Sequence, residues 1–315
     1  MKTKNPWIYP IAIIVLLLTF TISCEKDDAK PETPGCLITA EARKWIDVSE
    51  DGEEEITGEA TSNFTYDGNN RLIRIDTKTR WAYDEEDDED YYLFFYDSDG
   101  KIEKIEEYFW DEMEYIIFTW DGNKVTSQGY WEMGGTHEPS SFRYVYEFNS
   151  AGELIKEESY RKRDGTWEMN WYDLYTWEGG NPVKIESYRN QKKSTFSGPA
   201  AFGFPFIGNT KSRNKETTDH EAQNTVKQFQ LSSTTVLTYD NKNNPFSHHQ
   251  ALGLLGGGLP IYISKNNLLK AQPDDADWVL TLTYEYNEHD YPIIMTMSFD
   301  DDSYSISEIS YDCNL

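Results

Sequence analysis

Phe64-Thr65-Tyr66-Asp67-Gly68-Asn69-Asn70, followed by the aliphatic Leu72-Ile73, reads as the end of one strand, a tight turn and the start of the next. Its order is an apolar residue, any residue, Tyr or Trp, an acid, then a Gly/Asn turn, and that is how a β-hairpin is written in sequence. The same phrase returns at Phe94-Phe95-Tyr96-Asp97, Phe118-Thr119-Trp120-Asp121-Gly122, Tyr144-Val145-Tyr146-Glu147 and Tyr175-Thr176-Trp177-Glu178-Gly179. It recurs again at Leu237-Thr238-Tyr239-Asp240 and Leu282-Thr283-Tyr284-Glu285, with a weaker echo at Ser310-Tyr311-Asp312. Repetition at roughly regular spacing indicates one supersecondary unit used many times.

The aromatic positions are separated by 30, 24, 26, 31, 62, 45 and 27 residues. The interval of 62 is twice 31, so one copy is expected to be lost or rewritten near position 208. There, residues 196–225 mix Gly, Pro, Asn and Lys without periodicity, the mark of an irregular insertion. Seven or eight hairpins predict about 14 to 16 strands, more than an open twisted sheet holds without curling. The expected fold is all-β: an antiparallel meander rolled into a barrel or a deeply curved sheet. Alternation supports it, with Trp278, Leu280, Leu282 and Tyr284 on one face and Val279, Thr281, Thr283 and Glu285 on the other. Ile293, Met295, Met297 and Phe299 continue the apolar face on the next strand. A lipid-facing strand needs a wholly apolar outer face, whereas Lys101-Ile102-Glu103-Lys104-Ile105-Glu106-Glu107 places charge on both faces. The barrel is therefore expected not to span a membrane.

The first residues carry an address. Lys2 and Lys4 precede an apolar stretch from Trp7 to Ile22 that is too short for a permanent helical span, so residues 1–23 read as a secretory signal. Its end, Thr21-Ile22-Ser23-Cys24, resembles the lipobox of bacterial lipoproteins, which implies cleavage before Cys24 and acylation of that cysteine. The following Glu25-Lys26-Asp27-Asp28 resembles the signal that carries Bacteroidetes lipoproteins to the outer face of the outer membrane; a charged linker fits the same residues. Residues 24–35, with Pro31, Pro34 and Gly35, read as a flexible tether able to reach about 35 Å. Residues 36–315 read as a single all-β domain.

With a formal charge of -27 over 315 residues, the protein repels nucleic acid and phosphate-rich surfaces, which excludes nucleic-acid partners. The membrane is met through the lipid alone. Of the three cysteines, Cys36 opens the domain and Cys313 nearly closes it. In an exported protein either these two form a bridge between first and last strands or they are free thiols; two cysteines at opposite ends of the domain favour the bridge.

Both stamp and C-terminal third resemble known sequences. The stamp resembles tyrosine-aspartate repeats. Tyr239-Asp240-Asn241-Lys242-Asn243-Asn244-Pro245-Phe246, followed by Ser264-Lys265-Asn266-Asn267, is similar to a phrase in Bacteroidetes surface lipoproteins of unknown function described as porin-like. The resemblance implies fold and address, and brings no catalytic residues.

No reading of the sequence supplies an enzyme. There is no Gly-x-Ser-x-Gly elbow, and with 56 acids some carboxylate pair will border any cleft, so such pairs identify nothing. The run Asp84–Asp90 reads as a solvated hairpin tip rather than a calcium loop, since it lacks the glycine and the spaced ligands. Asp97-Ser98-Asp99-Gly100 reads as a turn. No metal or cofactor is expected. Gly253-Leu254-Leu255-Gly256-Gly257-Gly258 has no Lys-Ser/Thr and no following helix to make a phosphate loop, and reads as an apolar lid or plug. Tyr108, Trp110, Trp167 and Trp171 lie outside the stamp. They either stack on sugar rings from one shared concave face or serve as buried strand aromatics. The function expected is therefore a non-enzymatic binding or structural component of the cell surface, with a glycan-binding module as the alternative and the glycan or protein partner open.

Overall fold

The computed structural model describes residues 35–84, 86–109, 112–133, 136–190, 229–247, 249–276, 278–300 and 303–313. Its strands are β1 (Leu37–Val48), β2 (Glu54–Tyr66), β3 (Leu72–Trp81), β4 (Asp88–Tyr96), β5 (Ile102–Phe109), β6 (Glu112–Asp121), β7 (Lys124–Met133) and β8 (Thr136–Phe148). They continue as β9 (Leu154–Arg163), β10 (Thr166–Glu178), β11 (Asn181–Asn190), β12 (Phe229–Asn243), β13 (Asn266–Pro273), β14 (Leu280–Tyr286), β15 (Pro292–Asp300) and β16 (Ser303–Asp312). Two short helices, α1 (Gln250–Leu255) and α2 (Pro260–Ile263), lie between β12 and β13. Each strand pairs antiparallel with the next, and β16 pairs with β1, so the meander closes into a barrel. Closure removes every sheet edge.

Because the stamps end the even-numbered strands from β2 to β14, all their connections lie at one end of the barrel, here the stamp end. Four of them are the same five-residue loop. Asp67, Asp97, Asn149 and Asn287 each use Oδ1 to accept the backbone N–H groups two and four residues on. The fourth residue of each is left-handed: Asn70, Gly100, Gly152 and Asp290, with φ from 61° to 81°. Asn, Gly and Asp are the residues that tolerate this conformation. Asp97 is thus a turn residue, as its sequence indicates.

The aromatic of the stamp has a second duty. Tyr96 Oη donates to the Leu72 carbonyl at 2.8 Å, Trp120 Nε1 to Ile102 at 2.9 Å and Trp177 Nε1 to Leu154 at 2.6 Å. Tyr284 Oη donates to Leu268 at 2.7 Å and Tyr311 Oη to Pro292 at 2.6 Å. In each case the acceptor lies near the start of the preceding strand, so the ring ties the two strands of its hairpin together while its body is half-buried against the core. This requires a donor on a large ring, which Tyr and Trp have and Phe lacks.

Inward-facing side chains near the stamp end are apolar and buried, among them Phe64, Ile75, Phe94, Ile105, Phe118, Val125, Leu282 and Met295. The outer face is charged along the middle of the strands. Arg74–Asp76, Lys104–Glu106, Lys156–Glu158 and Lys184–Glu186 form ion pairs two residues apart. Arg74, Lys104 and Lys156 also sit over the rings of Tyr91, Phe95 and Tyr172. Such an exterior is the opposite of the apolar band that a lipid-facing barrel presents. No helix among the described residues is long and apolar enough to cross a membrane.

Cys36 and Cys313 are joined in a disulfide across a separation of 277 residues. It lies at the stamp end, where β1 begins and β16 finishes. Ile293 departs from expectation: it is 37% exposed although Met295 and Met297 are buried, because a register shift between Glu285 and Tyr286 interrupts the alternation. The insertion expected at 196–225 and the residues of the address lie outside the described residues.

Candidate functional site

Where the stamp at Tyr239-Asp240 should turn into a hairpin, the chain instead runs inward. Residues 244–247 and 249–265 form a plug whose Ala251, Leu252, Leu254, Ile261 and Tyr262 are all buried. The plug meets walls on several sides: His249 lies against Tyr66 of β2, Tyr146 of β8 donates to the Leu254 carbonyl, and Leu259 and Ile261 lie near Leu268, Leu280 and Met297 of β13, β14 and β15. Only a segment inside the barrel can touch these strands together. The Gly-rich run of the sequence is therefore a plug, not a lid.

The asparagine-rich phrases on either side of the plug form its clasp. Asn244 Nδ2 donates to the carbonyls of Ile261 and Ser264, both at 2.8 Å, and its Oδ1 accepts from the Phe246 amide. Asp240 accepts from the Asn267 amide at 3.0 Å and from Asn267 Nδ2 at 3.1 Å. Asn266 Nδ2 reaches back to the Lys242 carbonyl, and its amide is held by Asn181 of β11. Side-chain amides suit this task because each supplies donor and acceptor to an irregular backbone.

The plug tip enters a close fit. Gly258 has φ +72°, and a Cβ there would lie 2.7 Å from a Leu154 methyl, 2.8 Å from Tyr175 Oη and 3.0 Å from Glu157 Oε2. Beside the base of the plug is a cavity of about 160 Å³, walled by Tyr146, Phe148, Leu154 and Trp177 on one side and by Gly253, Leu254, Tyr262 and Ile263 on the other. Gly152, Ser247 and Gln250 stand at its rim.

Farther from the stamp end the interior turns polar. Tyr175 Oη donates to Glu157 at 3.1 Å, Arg189 to Asp173 at 3.0 Å, Tyr92 Oη to Glu107 at 2.5 Å, and Arg43 to Glu41 and Ser307. Glu157 and Asp173 face each other across the β9–β10 ladder. Burial lifts both carboxyls above their usual range. Glu157 is raised by burial and then by the Asp173 charge, whereas the rise of Asp173 is opposed by Arg189 and by a hydrogen bond from Ser187. Burial likewise raises Glu107, and lifts Asp90 to about 6 with help from Asp88. Sequence reading does not find this layer, since nothing in Lys156-Glu157-Glu158-Ser159 marks which acid faces inward.

The aromatics proposed for a sugar-binding face are not brought together. Tyr108 stacks on Tyr91 on the outer face, at 4.3 Å between centroids. Trp167 is also outside, under Arg143 at 4.6 Å. Trp171 is inside, beneath Arg189 at 4.6 Å and beside Tyr144. Regular alternation would put Trp167 and Trp171 on one face, but a bulge between Met169 and Trp171 inserts a residue and reverses the parity. Trp110 lies outside the described residues, as do Cys24, Glu25, Lys26, Asp27 and Asp28. The acidic run starts in the tip after β3 and ends in β4, whose first residues are Asp88, Glu89 and Asp90; at the tip Asp87 pairs with Lys78 at 3.0 Å and Arg80 at 2.8 Å. Among the described residues no group of three His, Cys, Asp or Glu is placed to hold a metal ion.

No family model and no curated protein sequence matches the chain. Among solved structures it is similar to a porin-like protein from Bacteroides uniformis, at 10% identity over 87% of this chain and 98% of that one, with a TM-score of 0.47. A porin-like protein from Bacteroides vulgatus is similar at 9% identity over 88% and 98% of the two chains, with a TM-score of 0.36. A protein of unknown function from Bacteroides fragilis matches 42% of this chain and 91% of its own at 12% identity, with a TM-score of 0.19.

Proposed function

We propose that this protein is a non-enzymatic, lipid-anchored component of the cell surface, held at the outer membrane through Cys24 and serving there in binding or in envelope structure. The observation that carries this reading is the asymmetry of the barrel. Its outer face is charged through the middle of the strands, as the ion pairs from Arg74–Asp76 to Lys184–Glu186 record, so the barrel belongs in water. The described chain nevertheless begins at the stamp end, where Cys36 is bonded to Cys313, and the lipobox-like Cys24 lies a short way upstream in the sequence. A water-exposed body fastened at one end through a short segment is what an anchored surface protein requires.

Cys24→Ser tests the anchor by fractionation. Accumulation of uncleaved or released protein supports the reading, and normal outer-membrane recovery overturns it. In a second strain, replacing Lys26, Asp27 and Asp28 with Ala should retain the lipid while removing accessibility to protease added to whole cells. Unchanged shaving of that strain rules out the surface address.

A further inference from the structure

The cavity beside the plug has the composition of a binding site. Its aromatic walls offer rings rather than polar atoms: Trp177 Nε1 is committed to the Leu154 carbonyl and Tyr146 Oη is directed to that of Leu254. With Phe148 and Leu254 these rings form most of the wall of a cavity of about 160 Å³, open at its rim and close in volume to an engineered cavity that takes up benzene. Polar chemistry is confined to the rim. Ser247 Oγ donates to the Asn244 carbonyl and keeps its lone pairs, while Gln250 opens α1 with its carboxamide exposed. Gly152 supplies no side chain on the opposite lip, and a Cβ there would meet nothing within 4 Å. The lip therefore stays open.

From this geometry we infer that the cavity is a binding site for a small neutral amphipath, with an apolar body of about six carbons and one hydroxyl or carbonyl group held at the rim by Ser247 and Gln250. The body matches the volume and the ring-lined walls, since rings pack on rings in offset or edge-on contact. The polar end matches the two side chains at the mouth. A neutral end is favoured because the rim residues Gly152, Ser247 and Gln250 carry no charge to pair with an ion, and the formal charge of -27 repels anions. The site goes beyond the anchoring reading and does not depend on it; fractionation results bear on the anchor alone.

Benzyl alcohol and benzoate are suitable probes because they share a ring and differ in charge. Titrated into the intact protein with methyl-labelled Leu and Ile, benzyl alcohol should shift the Leu254 and Ile263 resonances saturably, and benzoate should bind several-fold more weakly. Leu254→Phe, which fills the cavity from within, should weaken benzyl alcohol by about tenfold or more. If Leu254→Phe disturbs the plug, Gln250→Trp decides the matter at the mouth, where it leaves the wall untouched and must still weaken binding. The proposal is overturned by a lack of saturable shift up to the solubility of benzyl alcohol, or by undiminished binding in a folded variant. Equal binding of benzoate overturns the neutral polar end.

Discussion

Asp67 and Glu157 are two carboxyls of one barrel in opposite circumstances. At the stamp end, Asp67 is exposed enough to stay hydrated and accepts the amides of Asn69 and Arg71 and the guanidinium of Arg71. Although burial pulls the other way, these donors hold its carboxyl below the usual range. In the polar layer, Glu157 is buried against Asp173, with one phenol donating to it, and its carboxyl is held well above that range. The stamp end is thus built from local turns that satisfy themselves, and the polar layer from long-range neighbours that only the closed barrel supplies. The two should respond differently to damage.

The largest expected effect belongs to the clasp that closes the stamp end. Removing the bridge with Cys36→Ser and Cys313→Ser frees a loop of 277 residues, for which chain entropy sets a ceiling of about 6 kcal/mol. Residual denatured-state structure lowers that figure. Denaturant unfolding of the double variant beside the oxidised protein should show a loss of several kcal/mol with the slope altered; an unchanged midpoint would show that the bridge contributes nothing.

Next comes the plug tip against an ordinary turn. Gly258→Ala introduces a Cβ into atoms less than about 3 Å away and a left-handed strain as well, so a cost of about 2–4 kcal/mol is expected. Gly152→Ala has the same sign of φ but open space, and should cost about 1 kcal/mol. Equal losses would mean that the tip is not tightly seated.

Much of the stamp end is legible in the sequence because each loop is self-contained. Asp67-Gly68-Asn69-Asn70 names its turn, and the seven stamps with the echo at Tyr311 give the sixteen strands. The plug is legible in part: the glycines suggest it, but the clasp made by Asn244, Asn266 and Asn267 joins residues from three segments. The polar layer is not legible, since facing is set by register. One bulge at Met169/Trp171 moves Trp171 indoors and leaves Trp167 outside, and no local residue announces it.

Titration should separate the two ends by sign. Glu157, Asp173, Glu107 and Asp90 have raised folded-state values, so their contribution to stability is full below about pH 4 and is lost as pH rises, through about 6 for Asp90. Asp67, whose value is lowered, contributes above about pH 4 and loses that contribution as pH falls. Glu157→Gln keeps an acceptor for Tyr175 and removes the titration. It should raise stability at neutral pH and flatten the decline on the alkaline side. An unaltered pH profile would show that Glu157 does not store this cost.

The smallest effect gives the sharpest comparison, because it sets the stamp against itself. Tyr96 and Tyr239 end equivalent strands, yet Tyr96 Oη donates to Leu72 while Tyr239 Oη is buried with no hydrogen-bond partner among the described residues, as is that of Tyr66. The Tyr96 acceptor lies at the start of the preceding strand β3, and a following tight turn does not by itself secure such a bond, since Tyr66 has that turn and lacks the bond. Tyr96→Phe removes one donor and leaves the Leu72 carbonyl without it, at a cost of about 1 kcal/mol. Tyr239→Phe removes a hydroxyl that was buried without return, so its effect should be near zero or stabilising. Unfolding midpoints of the two variants, measured side by side, should differ in that order. If both lose the same amount, the hairpin-closing bond is not what Tyr and Trp contribute to the stamp, and ring burial alone would account for the repeat.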